Sequence, residues 1–300
     1  MPEKGIRSTY SQCPLQLLIC DDTGSLSTGT ACYFFAADGA EFLITNWHIV
    51  SGKNPFDQKY LRKDQRVPII LKARIATWVG DPEHRSFTTV AVEVPLYNED
   101  RSIPNWYEHP ELGNSCDVVA IPFQKPSTTP SFMHVSANRV SMSKIPVKPG
   151  IPVFVIGFPS SLSVGFGLPI WKSGYIASEP YYDIAWGGEV SDLGGMLGGK
   201  KIPAFLIDSL TREGMSGSPV FASYAGSWDM SDPYRPVDPD EPGFWTRNDI
   251  ALWGNQMQFV GLYSGRVPSR EAEAAFGFCW RIDAIEAICA YKKIGRHPHN

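Results

Sequence analysis

The chain is a succession of short apolar or alternating runs separated by Gly, Pro, Asp and Ser. Runs of roughly five to eight residues rich in Val, Ile, Phe and Tyr, at this spacing, are typical of antiparallel strands. Helical patterns of matched length do not alternate with them, which disfavours a parallel α/β sheet. The predicted strands are TACYFFA, EFLITNWHIV, RVPIILKARIATWV, TTVAVEV, CDVVAIPF, IPVFVIGF, KSGYIAS, PAFLIDSL, SPVFAS and QFVGLYSG.

A stretch in the middle of the chain divides these strands into two groups. The segment FQKPSTTPSFMHVSANRVSMSKIPVKPG is rich in Pro, Ser and Thr, and we interpret it as a connector between two small β-barrels in series. The segments 187–201, which holds three Gly pairs, and 229–241, which is acidic and proline-rich, are interpreted as surface loops. The end of the chain, RIDAIEAICAYKKI, predicts one helix with an apolar stripe of Ile282, Ile285, Ile288 and Cys289.

Composition narrows the class of protein. With 43% apolar and 19% charged residues among 300, the chain is globular and long enough to bury a large core. A net charge of −4 provides neither a basic field for nucleic acid nor a polybasic membrane patch. No apolar run approaches the ~20 residues that span a bilayer, and the start lacks a secretory signal pattern. We therefore expect a cytoplasmic protein without nucleic-acid or membrane partners.

The cysteines and histidines argue against disulfides and metal. The cysteines, at positions 13, 20, 32, 116, 279 and 289, are expected to be free thiols, because the chain is too long to need disulfide bonds and lacks an export signal. No C-x2-C or H-x3-H pair occurs, and the nearest cluster is HPH in the tail. We expect no metal and no other cofactor.

Three polar residues stand out against this apolar pattern. Ser216, in GMSGSPV, is either a nucleophile or a small residue in a surface turn, since Gly, Ser and Pro are also turn residues. His48 follows the strand EFLIT and could equally be a packed core residue. Asp117 precedes the apolar strand VVAIPF. It is either a residue of a strand-edge turn or a buried carboxylate, which would need a hydrogen-bonding or charged partner.

Together these residues suit attack by a serine hydroxyl, which needs a base, a carboxylate to orient the base, and amide donors for the oxyanion. Gly214 allows the backbone to turn so that the N–H groups of Gly214 and Ser216 point into one hole. Hydrolases with a nucleophile elbow run in the order Ser, acid, His. Here the order is His48, Asp117, Ser216, which excludes an esterase or lipase of that kind.

The motifs resemble those of the trypsin-like, chymotrypsin-fold serine peptidases, and most closely their bacterial, disulfide-free branch. FLITNWHIV is similar to the family's Thr-x-x-His motif, CDVVAIPF to its Asp-plus-apolar strand, and GMSGSPVF to its G-x-S-G-[GS]-P motif. The resemblance runs from about Gly29 to the final helix. It implies an all-β fold of two antiparallel six-stranded β-barrels with a C-terminal α-helix. We expect a single domain, with an N-terminal barrel at about 10–125, a connector at 126–148, a C-terminal barrel at 149–281 and the helix at 282–294.

The resemblance also implies roles for individual residues. His48 would be the general base and then the acid, Asp117 its orienting carboxylate, and Ser216 the nucleophile. Gly214 and Ser216 would supply the oxyanion amides.

Further matches concern the substrate. Leu210 matches the floor of the primary specificity pocket, and an apolar floor suits an uncharged side chain. Ser264 matches a serine behind the triad aspartate, and Gly265 follows it on the strand that walls the groove. Arg266 stands where many members have glycine, so that it could narrow the pocket entrance or select acidic groups. Met215 replaces the aspartate of zymogen-forming members, so activation by a freed N-terminal amine is not supported.

The function that the resemblance implies is a serine endopeptidase acting on a protein or peptide substrate through an acyl-enzyme. The alternative is a latent or catalytically silent module on the same fold that acts as a binding protein regulated by a protein partner. Segments 53–115, 178–205 and 229–241 exceed a minimal two-barrel frame, and could cover the groove or dock such a partner.

Overall fold

The computed structural model describes residues 6, 8–79, 86–124, 132–141, 144–165, 167–185, 201–266 and 276–299. Within this part of the chain, almost all regular structure is antiparallel β-sheet. Two α-helices are present, α1 (Trp47–Ser51) and α2 (Ile282–Tyr291). Short 3-10 helices occur at Thr9–Gln12, Pro159–Ser161 and Phe244–Thr246.

The first sheet is built almost entirely from the N-terminal part of the chain. Its strands are β1 (Pro14–Asp21), β2 (Gly24–Phe35), β3 (Glu41–Thr45), β4 (Ile70–Val79), β5 (Ser86–Pro95), β6 (Tyr107–Glu108), β7 (Val119–Pro122) and β17 (Lys293–Ile294). They lie in the order β17-β6-β7-β3-β2-β1-β4-β5. Six longer strands therefore form this unit, and the two-residue strands β6 and β17 extend one edge.

The second sheet closes into a barrel. Its strands are β8 (Pro152–Gly157), β9 (Ile170–Ile176), β12 (Ala204–Asp208), β13 (Pro219–Asp229), β14 (Asp232–Val237), β15 (Ile250–Arg266) and β16 (Phe276–Arg281). They lie in the order β14-β13-β15-β16-β12-β9-β8, and a further pairing of β13 with β8 joins the ends of a six-stranded ring. A separate ribbon pairs β10 (Ile184–Ala185) with β11 (Lys201–Ile202).

A shared apolar core joins the two units, and β2 shows how the sequence builds it. Successive strand residues point to opposite faces. Ala31 and Tyr33 therefore pack into the core of the first unit, whereas Cys32 and Phe34 face the second unit and α2. The run ACYFF is continuous because this strand is buried on both faces. The cluster on the second face also includes Phe221, Phe259, Trp280, Ile285 and Ile288.

Most of the predicted architecture is confirmed. Every predicted run overlaps an observed strand, and the chain has the all-β, chymotrypsin-type architecture with a C-terminal helix. Of the two predicted six-stranded barrels, the strand pairings of the described residues close only the second. All six cysteines are buried and unpaired, as expected. No helix in the described ranges has the length and apolar character needed to cross a membrane.

Some local expectations were wrong. Segment 229–241 is not entirely a loop, because Asp232–Val237 forms β14 against β13. The C-terminal helix ends at Tyr291, since Lys292 adopts a left-handed φ of 49° and the next residues pair as β17 with β6. The run LQLLIC belongs to β1, which the sequence analysis did not predict. The glycine-rich segment 187–201 lies outside the described residues, apart from its last position.

Candidate active site

The pairing of β3 with β7 brings His48 and Asp117 together. Thr45, the last residue of β3, lies opposite Val119, the first residue of β7. The chain leaving β3 turns directly into α1, which carries His48, while Asp117 lies just before β7. The short helix was not predicted. This helix places His48 in its first turn, whereas the sequence analysis had placed His48 at the end of a strand.

Two hydrogen bonds connect these residues. The His48 backbone N–H donates to Asp117 Oδ1 at 2.9 Å, and the His48 ring nitrogen Nδ1 lies 2.7 Å from Asp117 Oδ2. The carboxylate can only accept when ionised, so Nδ1 carries the hydrogen and Nε2 is left as the acceptor. The Asp117 side chain is 1% exposed. The structure therefore holds an imidazole in the tautomer that a general base requires.

The buried carboxylate is held by further contacts. The Ser264 hydroxyl also donates to Asp117 Oδ2, which agrees with the expected position of Ser264 behind the aspartate. The Asn46 side-chain amide donates to the Asp117 backbone carbonyl at 2.7 Å. Because three hydrogen bonds satisfy its carboxylate oxygens, Asp117 can remain buried without the desolvation cost of an unpaired charge.

Ser216 lies in the turn between β12 and β13, next to Ser264 of the neighbouring strand. Its hydroxyl donates to the Ser264 backbone carbonyl at 2.9 Å. Among the described residues, no hydrogen bond joins this hydroxyl to His48, although both side chains line one cavity. Ser264 therefore contacts both the carboxylate and the serine, through its hydroxyl and its carbonyl respectively. Transfer of the Ser216 proton to His48 requires the hydroxyl to leave the Ser264 carbonyl.

The backbone around Ser216 is clamped by Thr30 of β2. The Thr30 hydroxyl donates to the Gly214 carbonyl at 2.8 Å, and the Thr30 N–H donates to the Ser216 carbonyl at 2.9 Å. Thr30 itself is fully buried. Gly217 must be glycine here, since its φ is +84° and a Cβ would lie 1.9 Å from the Thr30 carbonyl oxygen.

A second contact orients the Gly214 amide. The Ser160 N–H donates to the Glu213 carbonyl at 2.6 Å, and in a trans peptide the N–H points opposite to the carbonyl. The Gly214 N–H is thereby directed away from Ser160. Neither this group nor the Ser216 N–H donates to any residue that the structure describes. Both predicted oxyanion amides are thus available to a ligand.

The turn that carries Ser160 is strained. Ser160 and Ser161 adopt φ values of 49° and 61°, which non-glycine residues seldom do. The first unit stabilises this conformation, because the Gln16 side chain donates to the Ser161 carbonyl at 3.0 Å and the Ser161 hydroxyl donates to the Thr28 hydroxyl at 2.9 Å. Strain of this kind concentrates at functional sites.

Six of the eight predicted site residues, all except Leu210 and Gly214, line one cavity of about 240 Å³. Its apolar wall comes from the segment after α1, with Pro55, Phe56 and Leu61, and from Phe278 of β16. Phe56 and Phe278 contact each other edge to face, with ring centroids 6.3 Å apart. Part of segment 53–115 therefore lines this cavity. The lining residues are His48, Asn54, Pro55, Phe56, Leu61, Asp117, Ser216, Ser264, Gly265, Arg266 and Phe278.

Not every expected substrate residue lies there. Leu210 does not line this cavity and its side chain is 68% exposed, so the structure gives it no place as a floor. The next residue, Thr211, points inward instead: it is 1% exposed, and its hydroxyl is hydrogen-bonded to that of Tyr263. The Arg266 guanidinium donates to the Thr211 carbonyl and so crosses between the two segments that flank Ser216.

Glu108, a buried acidic residue that the sequence analysis missed, packs against α1, the helix that carries His48. Glu108 Oε1 accepts hydrogen bonds from the indole N–H groups of Trp47 at 3.0 Å and Trp106 at 3.2 Å. Glu108 is 1% exposed, and burial raises the pKa of its carboxyl. Trp47 adjoins His48, so this acid anchors α1. Two features of the sequence could have indicated this contact: Trp47 directly precedes the candidate base His48, and Glu108 is an acid in a short segment with aromatic neighbours.

Two expectations concern residues outside this hydrogen-bonded set. Met215 is fully buried in the apolar core of the second unit. Its thioether side chain has no charge that could pair with a freed N-terminal amine. Within the described ranges, no three metal-ligating side chains group together.

The fold and this site are of the trypsin-like peptidase type. Residues 29–228 match the family of the trypsin-like peptidase domain, and the chain belongs to that family. No curated protein sequence matches the chain.

Three of the solved structures that are similar to the chain are described as proteases. An inactive form of the Rv3671c protease shares 15% identity over 94% of this chain and 89% of that one, with a TM-score of 0.43. The active form of the M. tuberculosis protease shares 15% over 96% and 82%, with a TM-score of 0.41. The HtrA-type protease AlgW with tripeptide shares 12% over 92% and 58%, with a TM-score of 0.41.

Proposed function

We propose that the protein is a serine endopeptidase that cleaves peptide bonds through an acyl-enzyme. The observation that carries this proposal is the hydrogen-bonded Asp117–His48 pair, which lines the cavity that Ser216 also lines. The family supports a peptidase hydrolase, and the residues in the cavity supply the parts that serine catalysis requires.

Catalysis begins when the Ser216 hydroxyl turns from the Ser264 carbonyl toward His48. Ser216 Oγ attacks the substrate carbonyl carbon while its proton passes to His48 Nε2. The carbonyl π electrons move to oxygen, and the N–H groups of Gly214 and Ser216 stabilise the resulting oxyanion. Asp117 stabilises the imidazolium through Nδ1–H.

The tetrahedral intermediate then collapses. The C–N bond breaks, the nitrogen takes the proton from Nε2 and leaves as an amine, and the acyl group remains on Ser216 as an ester. Water repeats the sequence with His48 as base, which releases the acid and regenerates the hydroxyl.

One observation favours the latent form as a second candidate. The serine hydroxyl is engaged with Ser264, not with the base. A protein partner that shifts the Ser264 carbonyl would free the hydroxyl, so regulated latency is the alternative to constitutive activity.

A fluorophosphonate probe tests the proposal, since it labels only an activated serine. We expect wild type to be labelled and to cleave unfolded casein, whereas Ser216→Ala is not labelled and His48→Ala is labelled at a small fraction of the wild-type rate. The losses of casein-cleaving activity in Ser216→Ala and His48→Ala should not add in the variant that carries both substitutions, because the two residues act as one unit. Labelling that appears only after cell extract is added would support latency. Wild-type labelling equal to that of Ser216→Ala under both conditions would refute catalysis.

A further inference from the structure

The two charged side chains that line the catalytic cavity differ in how accessible they are to a ligand. Its described lining includes one carboxylate, Asp117, and one side chain with a permanent positive charge, Arg266. The Asp117 carboxylate is nearly inaccessible and accepts hydrogen bonds from His48 and Ser264. Arg266 is exposed, and no described carboxylate forms an ion pair with it. A ligand in this cavity therefore meets a positive charge.

The guanidinium is also held in place. One of its nitrogens donates to the Thr211 carbonyl, which ties the end of β15 to the segment that leads into Ser216. Thr211 cannot move inward, since it and Tyr263 are buried behind the cavity and hydrogen-bonded to each other. A guanidinium has five N–H donors, and this tether uses one. The remaining donors suit a carboxylate, which arginine binds in bidentate fashion.

The position of this cation selects one residue of the substrate. The cavity lies beside the nucleophile, where it can receive the side chain of the residue whose carbonyl is attacked, because the Cα of that residue is bonded to the carbonyl carbon. We propose that Arg266 makes the enzyme prefer an acidic side chain, Glu or Asp, at the residue before the cleaved bond. This inference rests on the proposed function. It replaces the apolar pocket floor that Leu210 was expected to form.

The consequence for selectivity follows from the charges. A Glu side chain gains a charge-assisted hydrogen bond, Gln gains only a neutral one, and Lys is repelled. Charge-assisted hydrogen bonds are roughly twice as strong as neutral ones, so we expect kcat/KM to be about 10-to-100-fold higher for Glu than for Gln.

The test uses three peptides that differ only in one residue before the cleaved bond, Glu, Gln or Lys. Wild type should cleave the Glu peptide best and the Lys peptide least. In Arg266→Gln the Glu-to-Gln ratio should fall to about one, and in Arg266→Glu the Lys peptide should become the best substrate. Arg212→Gln is the matched control, because Arg212 is an exposed arginine in the loop that carries Ser216 and does not line the cavity. It should keep the wild-type ratio.

Binding to the Ser216→Ala protein separates this inference from the proposed function. Fluorescence anisotropy of the same labelled peptides should show Glu bound about tenfold or more tightly than Gln, and Arg266→Gln in that background should abolish the difference. This result would support recognition even if wild type never turned over. A wild-type preference for Gln or Lys, or equal binding of Glu and Gln, would overturn it. So would an equal gain in cleavage of all three peptides by Arg266→Gln, which would make Arg266 a plug.

Discussion

Thr30 holds the backbone of residues 214–216, which we call the oxyanion segment because its N–H groups are the proposed oxyanion donors. Replacing Thr30 with Val removes one hydroxyl that holds this segment and keeps the shape of the side chain. That hydroxyl donates to the Gly214 carbonyl at 2.8 Å and accepts the Phe158 N–H at 3.4 Å. The Thr30 N–H, which holds the Ser216 carbonyl, is unaffected. The variant therefore releases the Gly214 side of the segment while the Ser216 side stays fixed.

The magnitude follows from burial. Thr30 is fully buried, so the Gly214 carbonyl loses its partner without access to water, which costs about 1–3 kcal/mol of folding stability. Loss of an oxyanion donor itself costs roughly 10²–10³ in kcat. Since the Thr30→Val substitution would loosen the Gly214 amide and not delete it, we expect kcat to fall by about 10-to-100-fold. KM should change little, because the developing oxyanion exists only in the transition state.

The assay is steady-state cleavage of a chromogenic peptide, with near-ultraviolet circular dichroism to verify folding. Thr30→Ser keeps the hydroxyl and should keep most of the activity. Thr45→Val is the control for a lost buried hydroxyl: its hydroxyl donates to the Thr30 carbonyl at 2.7 Å and does not contact Gly214. It should lose similar stability with a smaller fall in kcat. A folded Thr30→Val protein with kcat within about twofold of wild type would refute the reasoning.

Two further predictions concern titratable groups whose pKa values are shifted by the fold. Glu108→Leu leaves the indoles of Trp47 and Trp106 unsatisfied and should lower stability by about 2–4 kcal/mol and slow fluorophosphonate labelling, whereas Glu108→Gln keeps an acceptor and should lose less. Because burial raises the pKa of Glu108 above 4.5, the wild-type protein should lose stability as pH rises through that raised pKa, and Glu108→Gln should not; parallel denaturation curves for the two proteins would contradict this. His134 accepts the Ala76 N–H at 2.9 Å through Nε2, and burial lowers its pKa from 6.5 to about 4. Since the unfolded chain binds the proton more readily, about 1–3 kcal/mol of stability should be lost as pH falls from about 6.5 to about 4, and His134→Gln, compared by urea denaturation, should lack that loss.

The sequence was sufficient for ten of the strands and for the choice of candidate residues. Both depend on properties that repeat or cluster locally: apolar runs of strand length, glycines around Ser216, and an acid next to an apolar strand at Asp117. The continuous run ACYFF indicated a strand, and β2 is one that is buried on both faces. The order of His48, Asp117 and Ser216 also excluded the elbow type of hydrolase before any contact was known.

Interpretations that depended on which way a side chain points were less successful. Leu210 and Thr211 are neighbours, and a shift by one residue reverses the side of the chain that faces the pocket. The sequence analysis chose the apolar residue of the pair, whereas the fold exposes Leu210 and buries Thr211. Local composition does not encode that choice, because the barrel strands behind the loop determine it.

By itself, then, the sequence determined the class of fold and the identity of the candidate reactive groups, since strand periodicity and residue chemistry are local properties. Only the tertiary structure decided that the Ser216 hydroxyl bonds to Ser264, that Thr30 clamps the oxyanion segment and that Arg266 reaches Thr211. Each of these contacts joins residues from different strands or loops. Their distances depend on the register of both sheets and on the closure of the second sheet into a barrel, and no single stretch of the chain carries that information.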